Sequence, residues 1–235
     1  MQITYLDHCG FFIELEQVCL LFDYWQGALP IPVAGKALVT FSSHGHHDHF
    51  TREIFVYGQQ WETVCHVLGN DIRLSAKRKA EWGIRDDTIH RLGPDKALHL
   101  QDLKIRTLRS TDAGVAFLVE AEGKTIYHAG DLNWWVWDGE PEADNAAMTQ
   151  AFLAEMEKLK DVPIDVAFLT LDGRQEADRF RGFDYCLRNL NIQKAVPMHS
   201  FGNYEPHREI LHIPLSLPYR EKILVMTETG KQIEL

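Results

Sequence analysis

The chain is poor in cysteine and in basic residues. Its four cysteines show no Cys-x-x-Cys spacing, which argues against a zinc ribbon and a disulfide framework and predicts reduced thiols in a cytoplasm. Lysine and arginine total 24 against 34 acidic residues, a formal net charge of −10. This acidic balance repels phosphate backbones, so a nucleic-acid partner is disfavoured and a small-molecule substrate is expected.

Long apolar runs and a serine-nucleophile motif are also missing. No stretch is long and apolar enough to span a membrane, and the N-terminus lacks a basic region followed by an apolar run. We therefore expect no membrane partner, no secretory signal and a cytoplasmic location. No G-x-S-x-G elbow is present. The 235 residues predict one domain over residues 1–235 and leave the oligomeric state open.

Histidine, by contrast, is concentrated in one short stretch. Residues 44–49 read His-Gly-His-His-Asp-His, and imidazole and carboxylate groups are the ligands that Zn²⁺ and related divalent ions bind. The preceding apolar residues 37–41 predict a buried strand, and residues 51–55 predict the start of a short helix. The cluster therefore lies on a strand-to-helix loop, where a rigid scaffold commonly positions working residues.

This stretch resembles the signature of the metallo-β-lactamase superfamily. Residues 128–131, His-Ala-Gly-Asp, are similar to its Gly-Asp segment, and residues 196–199, Val-Pro-Met-His, are similar to its late strand ending in a metal histidine. Residues 3–14 resemble the first hairpin of a branch that includes ascorbate-6-phosphate lactonase and uncharacterised metal-dependent hydrolases. The resemblance covers essentially the whole chain and implies a four-layer αββα sandwich of two mixed sheets flanked by helices, an α/β fold.

The resemblance also implies the metal ligands. Asp48, His49 and His199 form the intact set for one ion, while His44 and His46 belong to another. The full implied set, with the bridging aspartate, is His44, His46, Asp48, His49, Asp131 and His199.

The set around His44 and His46 is one ligand short. Relatives place a third histidine before the hairpin at residues 115–127, and this chain has none between residues 99 and 128. Three alternatives follow: the position is empty, it is filled by water, or Asp112, with Ser110 as a second candidate, supplies an oxygen. Asp112 could instead cap its own turn, a common use of aspartate in loops.

Other positions have two interpretations each. His8 lies at a turn and is either a structural hydrogen-bonder or a residue near the site. Asp23 is interpreted as an acceptor that fixes a ligand imidazole. Trp134 and Trp135 belong to a loop with three tryptophans in four residues, which predicts either core packing or a pocket wall. Asp172, at the end of a buried strand, is a candidate for the pocket edge.

The implied chemistry is hydrolysis with a divalent metal. Zinc is expected first, with manganese or iron as alternatives, in one or two ions. A metal-bound hydroxide, oriented by Asp48, would attack a small-molecule lactone, ester, amide or phosphoester. Two other classes compete: a phosphodiesterase or nuclease, which the acidic balance disfavours, and a non-catalytic metal-binding protein, which the missing histidine favours.

Overall fold

A computed structural model describes residues 1–100 and 102–235. By its internal contacts the chain divides into two units, residues 1–93 with 227–235, and residues 94–226. The single domain over residues 1–235 stays a prediction beside this division. No helix among the described residues is both long enough and apolar enough to cross a membrane.

The first unit is built on a seven-stranded mixed sheet. Its strands, in the order in which they lie in the sheet, are β13 (Gln232–Glu234), β1 (Gln2–Asp7), β2 (Gly10–Glu14), β3 (Val18–Phe22), β4 (Ala37–Ser42), β5 (Val64–Gly69) and β6 (Ile89–Leu92). The strands from β3 to β6 are parallel, and the others pair antiparallel. Helices α1 (Glu53–Gly58) and α2 (Ala76–Glu81) connect the parallel strands. Strands β3 and β4 are almost wholly buried and mostly apolar, as expected of central parallel strands.

The second unit is built on a six-stranded mixed sheet. Its strands, in sheet order, are β12 (Ile192–Met198), β11 (Ile164–Thr170), β10 (Lys124–His128), β9 (Val115–Ala121), β8 (Leu103–Arg109) and β7 (Ala97–Leu100). Strands β10, β11 and β12 run parallel, and β7 to β10 pair antiparallel. Its helices are α3 (Glu142–Glu157), α4 (Arg181–Asn189) and α5 (Glu205–Glu209).

Parallel strands place the working loops of each unit at one edge of its sheet. The carboxyl ends of neighbouring parallel strands meet there, so β3 and β4 bring their following loops together, as do β10, β11 and β12. Helix α4 packs its buried Phe183 and Leu187 side against β11 and β12. The predicted two mixed sheets with helices are confirmed.

Candidate functional site

The loop after β4 gathers the histidines of the first unit. The amides of His49 and Phe50 both donate to the carbonyl of His46, at 3.1 and 3.0 Å, and so close a turn. This turn brings the His44 ring to 4.2 Å from the His49 ring and 4.5 Å from the His46 ring, measured between centroids. His44 and His49 are fully buried, whereas His46 and His47 are exposed.

Asp23, directly after β3, determines where the imidazole protons lie. Its carboxylate accepts from the Ser43 amide (2.7 Å), the Ser43 hydroxyl (2.7 Å) and His49 Nδ1 (2.8 Å). Because the Ser43 proton points to Asp23, His44 Nδ1 donates to Ser43 Oγ (2.9 Å), and His46 Nδ1 donates to His44 Nε2 (3.0 Å). All three rings therefore carry their proton on Nδ1, which makes Nε2 the nitrogen with the lone pair that a metal would bind; in His44 that lone pair accepts the His46 N–H in this structure.

His8 lies beside Asp48, the carboxylate of the histidine-rich loop after β4. His8 Nε2 lies 3.5 Å from Asp48 Oδ2, and its ring stands edge-on to His49 at 5.4 Å. Burial raises the pKa of Asp48, but the hydrogen bond with His8 and the electrostatic influence of His49 outweigh burial and hold this pKa well below its usual range. Asp48 is therefore an ionised carboxylate at neutral pH.

His199, in the second unit, lies between two carboxylates. His199 directly follows β12, and the two acids follow the neighbouring strands, Asp131 after β10 and Asp172 after β11. His199 Nε2 lies 3.3 Å from Asp131 Oδ1, and His199 Nδ1 donates to Asp172 Oδ2 at 3.0 Å. Burial lowers the pKa of His199, but the two acids outweigh burial and raise it to about 9. The two acids thus stabilise positive charge at this position.

Asp172 is fixed from its other side by an arginine. Its carboxylate accepts from the Arg174 amide at 2.8 Å and from Arg174 Nε at 2.9 Å. Burial raises the pKa of Asp172, but the hydrogen bonds from His199 and Arg174 hold it well below the usual range. A buried, ionised and oriented acid therefore supports His199.

The two units repeat one arrangement. His49 donates Nδ1–H to the buried Asp23, and His199 donates Nδ1–H to the buried Asp172. Metal-ligating histidines almost always donate their other ring N–H to such a partner, which fixes the tautomer and orients the ring. Imidazole nitrogens and carboxylate oxygens are the donors that zinc, manganese and iron accept, so these residues fit a divalent metal.

Strained backbone marks three of these residues. His8, Asp23 and His199 have φ angles of 51°, 38° and 73°, the left-handed region that favours glycine. Each such residue costs on the order of 1–3 kcal/mol, and such strain concentrates at functional sites. Their geometry is therefore held by the surrounding hydrogen bonds against local preference.

The loop before β9 carries the two candidates for the missing ligand. Asp112 is exposed, and its amide donates to Ser110 Oγ at 3.2 Å. Ser110 itself is buried, and Thr111 Oγ1 donates to the carbonyl of Asn133 at 2.6 Å. Metal coordination by Asp112 or Ser110 stays a prediction.

The tryptophan loop divides its residues between the two interpretations. Trp134 stacks on Phe152 at 5.3 Å and donates Nε1–H to Thr149, which is core packing beneath the loop. Trp135 lies edge-on to His199 at 5.7 Å and donates Nε1–H to the carbonyl of Asp131. Only Trp135 of these two therefore contacts a candidate ligand.

The sequence did not point to Arg174 or to the Asp172–His199 hydrogen bond. The sequence does contain a partial signal for this hydrogen bond, because Asp172 and His199 each follow a buried apolar strand. This signal does not predict the pairing, because the two strand ends are seen to be neighbours only from the parallel register of Thr170 with Met198.

Comparison with known proteins places these features in a family. Residues 2–136 match the family model described as the Beta-lactamase superfamily domain. A UPF0173 metal-dependent hydrolase of Alkaliphilus metalliredigens is 26% identical over 219 residues, covering 85% of each chain. Two solved structures are similar: Igni18, a metallo hydrolase of Ignicoccus hospitalis (TM-score 0.66, 17% identity, 99% of this chain and 97% of that one), and the metallo-β-lactamase fold protein YhfI of Bacillus subtilis (TM-score 0.65, 13% identity, 99% of each). The match over more than half of the chain, together with the shared fold, shows that this chain belongs to the metallo-β-lactamase superfamily.

Proposed function

We propose that this chain is a metal-dependent hydrolase of small molecules. The observation that carries the proposal is the hydrogen-bond chain from Asp23, which puts the protons of His44, His46 and His49 on Nδ1. A histidine-rich surface with incidental metal affinity does not need such control of its tautomers. The curated relative described above is likewise named a metal-dependent hydrolase.

Both units supply metal ligands in this proposal. The first unit contributes a set on the loop after β4, and the second contributes a set at the ends of β10 and β12. The proposed ligands are His44, His46, Asp48 and His49 in the first unit, and Asp131 and His199 in the second. When bound, the metal supplies Lewis acidity that activates water at neutral pH and polarises the substrate oxygen.

The chain's own residues then orient and move protons. Asp48, ionised beside His8, would accept a hydrogen bond from the attacking water and so orient it. Asp23 accepts the Nδ1–H of His49, and Asp172 accepts the Nδ1–H of His199, so Nε2 of each ring is reserved for the metal, which at His199 would take the place of the second ring proton. The substrate is a lactone, ester, amide or phosphoester.

The choice of metal follows from donor chemistry. Nitrogen-rich sets with carboxylates favour zinc, while added oxygen donors favour manganese or iron, so zinc is the first candidate.

The cysteines support a reducing cytoplasm as the compartment. Cys65 is a free thiol, and so is the buried Cys186, whose pKa is raised by burial to about 12.

Metal analysis joined to a substrate panel tests the proposal. Protein purified without chelator is analysed for zinc, manganese and iron, and then assayed against γ-butyrolactone, p-nitrophenyl acetate, acetanilide and bis(p-nitrophenyl) phosphate. We expect bound metal and chelator-sensitive hydrolysis of at least one member. His49→Ala should lose both, whereas His99→Ala, which removes an exposed histidine on β7, controls for surface binding and should lose neither.

The outcomes separate the competing classes. Turnover of the phosphodiester alone would favour a phosphodiesterase. Metal that binds through His49 without any turnover would favour a non-catalytic metal-binding protein. Protein that is metal-free and does not take up zinc in titration would overturn the proposal.

A further inference from the structure

The turn after β12 presents an aromatic ring beside His199. The Phe201 ring stands edge-on to the His199 ring, 4.9 Å between centroids, and Phe201 is 51% exposed. A single exposed apolar residue is ordinary on a protein surface, so exposure alone says little. The backbone of this turn says more.

Phe201 occupies a conformation that its side chain disfavours. Its φ is 46°, and a left-handed conformation for a bulky residue is a genuine outlier. Glycine or asparagine would adopt this conformation at lower cost, and Gly202 does so at the next position with φ 79°. The turn is held by the Asn203 amide, which donates to the Ser200 carbonyl at 2.9 Å. A ring kept at a strained, half-exposed position indicates a function for the ring.

Neighbouring groups fix the ring next to His199. The Arg174 guanidinium lies over the Phe201 ring at 4.4 Å from its centroid, and it also donates to Asp172, the carboxylate that orients His199. Arg174 therefore links the ring to the support of His199. This contact leaves half of Phe201 exposed, because the guanidinium covers only one face.

A second aromatic group lies against His199 from the loop after β10. Trp135 contacts the His199 ring at 5.7 Å, and Trp137 stacks parallel to Trp135 at 5.8 Å. Trp135 is buried, so its ring offers little surface to a ligand, whereas the Phe201 ring is half exposed.

We propose that Phe201 packs against an aromatic group of the substrate, so that the enzyme prefers aryl-bearing acyl substrates. This inference rests on the proposed hydrolase function and names a substrate class for the same residues. In the reaction, the acyl C–O bond breaks and the water oxygen bonds to the acyl carbon, while one water proton passes to the leaving alkoxide and the other is released as the product acid ionises. Aromatic pairing adds to area burial, and its worth corresponds to a preference on the order of tenfold.

A matched pair of ligands and esters tests the preference. Phenylacetate and cyclohexylacetate have the same charge and similar bulk and differ in aromaticity, and their methyl esters share one leaving group. Binding of the two acids to the zinc-loaded protein is measured by tryptophan fluorescence and calorimetry, and hydrolysis of the two esters by pH-stat. We expect phenylacetate to bind about tenfold more tightly and methyl phenylacetate to have the higher kcat/KM, chiefly through a lower KM.

Two variants make the test specific. Phe201→Asn removes the ring but suits the left-handed turn, so we expect the aryl preference to vanish while the melting temperature stays equal or rises. Leu217→Asn removes another exposed apolar side chain of the same unit and should leave the preference intact.

The binding arm and the hydrolysis arm fail separately. Loss of the preference in Phe201→Asn alone supports the inference, even where neither ester is hydrolysed, in which case only the proposed function is in question. Equal or absent binding of both acids by the wild type overturns it. A preference that survives in Phe201→Asn, or a melting temperature that falls without a change in preference, also overturns it, because the ring would then be structural.

Discussion

Replacing Asp23 by asparagine is the sharpest test of the tautomer control. In the wild type, Asp23 Oδ1 accepts from the Ser43 amide, and Oδ2 accepts from both the Ser43 hydroxyl and His49 Nδ1. Asparagine offers one oxygen and one NH₂ in nearly the same shape. With the oxygen on the Ser43 amide, the NH₂ faces the His49 N–H, and donor meets donor. The opposite rotamer sets the NH₂ against the Ser43 amide, so neither choice restores the native network.

The expected loss of metal affinity follows from the tautomer change that His49 must make. His49 escapes the clash by moving its proton to Nε2, which removes the lone pair that a metal needs. Loss of such a supporting partner typically costs roughly 10–100-fold in metal affinity, or about 1.4–2.8 kcal/mol. Because Asp23 also directs His44 through Ser43, we expect a loss near the upper end of this range.

Zinc affinity is measured by competition with a chromogenic chelator at fixed pH, alongside urea unfolding. Asp165→Asn is the matched control, because Asp165 accepts from the Thr125 amide at 2.9 Å and contacts none of the proposed ligands. The control should lose stability and keep its zinc affinity. An unchanged zinc affinity in Asp23→Asn, with a loss of stability no larger than that of the control, would refute the reasoning.

Three further predictions concern single residues. Burial lowers the pKa of His66 to about 4, so on acidification the unfolded chain binds the proton before the folded one does. The unfolding free energy should therefore fall by about 3 kcal/mol between pH 6.5 and 4. Urea unfolding should show a smaller change of this free energy with pH in His66→Gln, and an equal change in both proteins would contradict the assignment. Gly69→Ala places a Cβ 2.2 Å from the Ser43 carbonyl oxygen, so we expect a loss of roughly 1–3 kcal/mol of stability and weaker zinc binding. Urea unfolding and chelator competition measure the two effects, and a stable variant with normal zinc affinity would show that the loop can move to accept the Cβ. His47→Ala should keep the metal content of the wild type in elemental analysis, because the His47 side chain is 86% exposed; a lower content would make His47 a ligand.

Local patterns accounted for most elements of the fold. The predicted strand over residues 37–41 is β4. Met148, Phe152, Met156 and Leu159 recur at helical spacing and predict a helix over residues 143–160, and the observed α3 ends three residues earlier, at Glu157. The helix stops before Pro163, where the chain turns to enter β11. Apolar runs and helical spacing are properties of neighbouring residues, so one sequence contains them.

The supporting interactions could not be predicted in the same way. Asp23 and His49 are 26 residues apart, and Asp172 and His199 are 27 apart, so their pairing depends on which strands lie side by side. That choice follows from the packing of whole sheets. The position of Asp112 likewise depends on the conformation of its loop, which residue types alone left open between coordination and a turn.

The pairing of β13 with β1 has a consequence for synthesis of the chain. The second unit is one continuous segment, so all of it has been translated before residue 227, whereas the sheet of the first unit waits for a strand near residue 232. At about 5–20 residues per second, the hairpin of β1 and β2 exists for roughly 10–40 s before its last partner is made. Throughout that interval β1 has an unpaired backbone edge, the kind of template on which nascent chains aggregate. Chaperone capture and translation speed therefore bear more heavily on the first unit, although its residues are mostly made first.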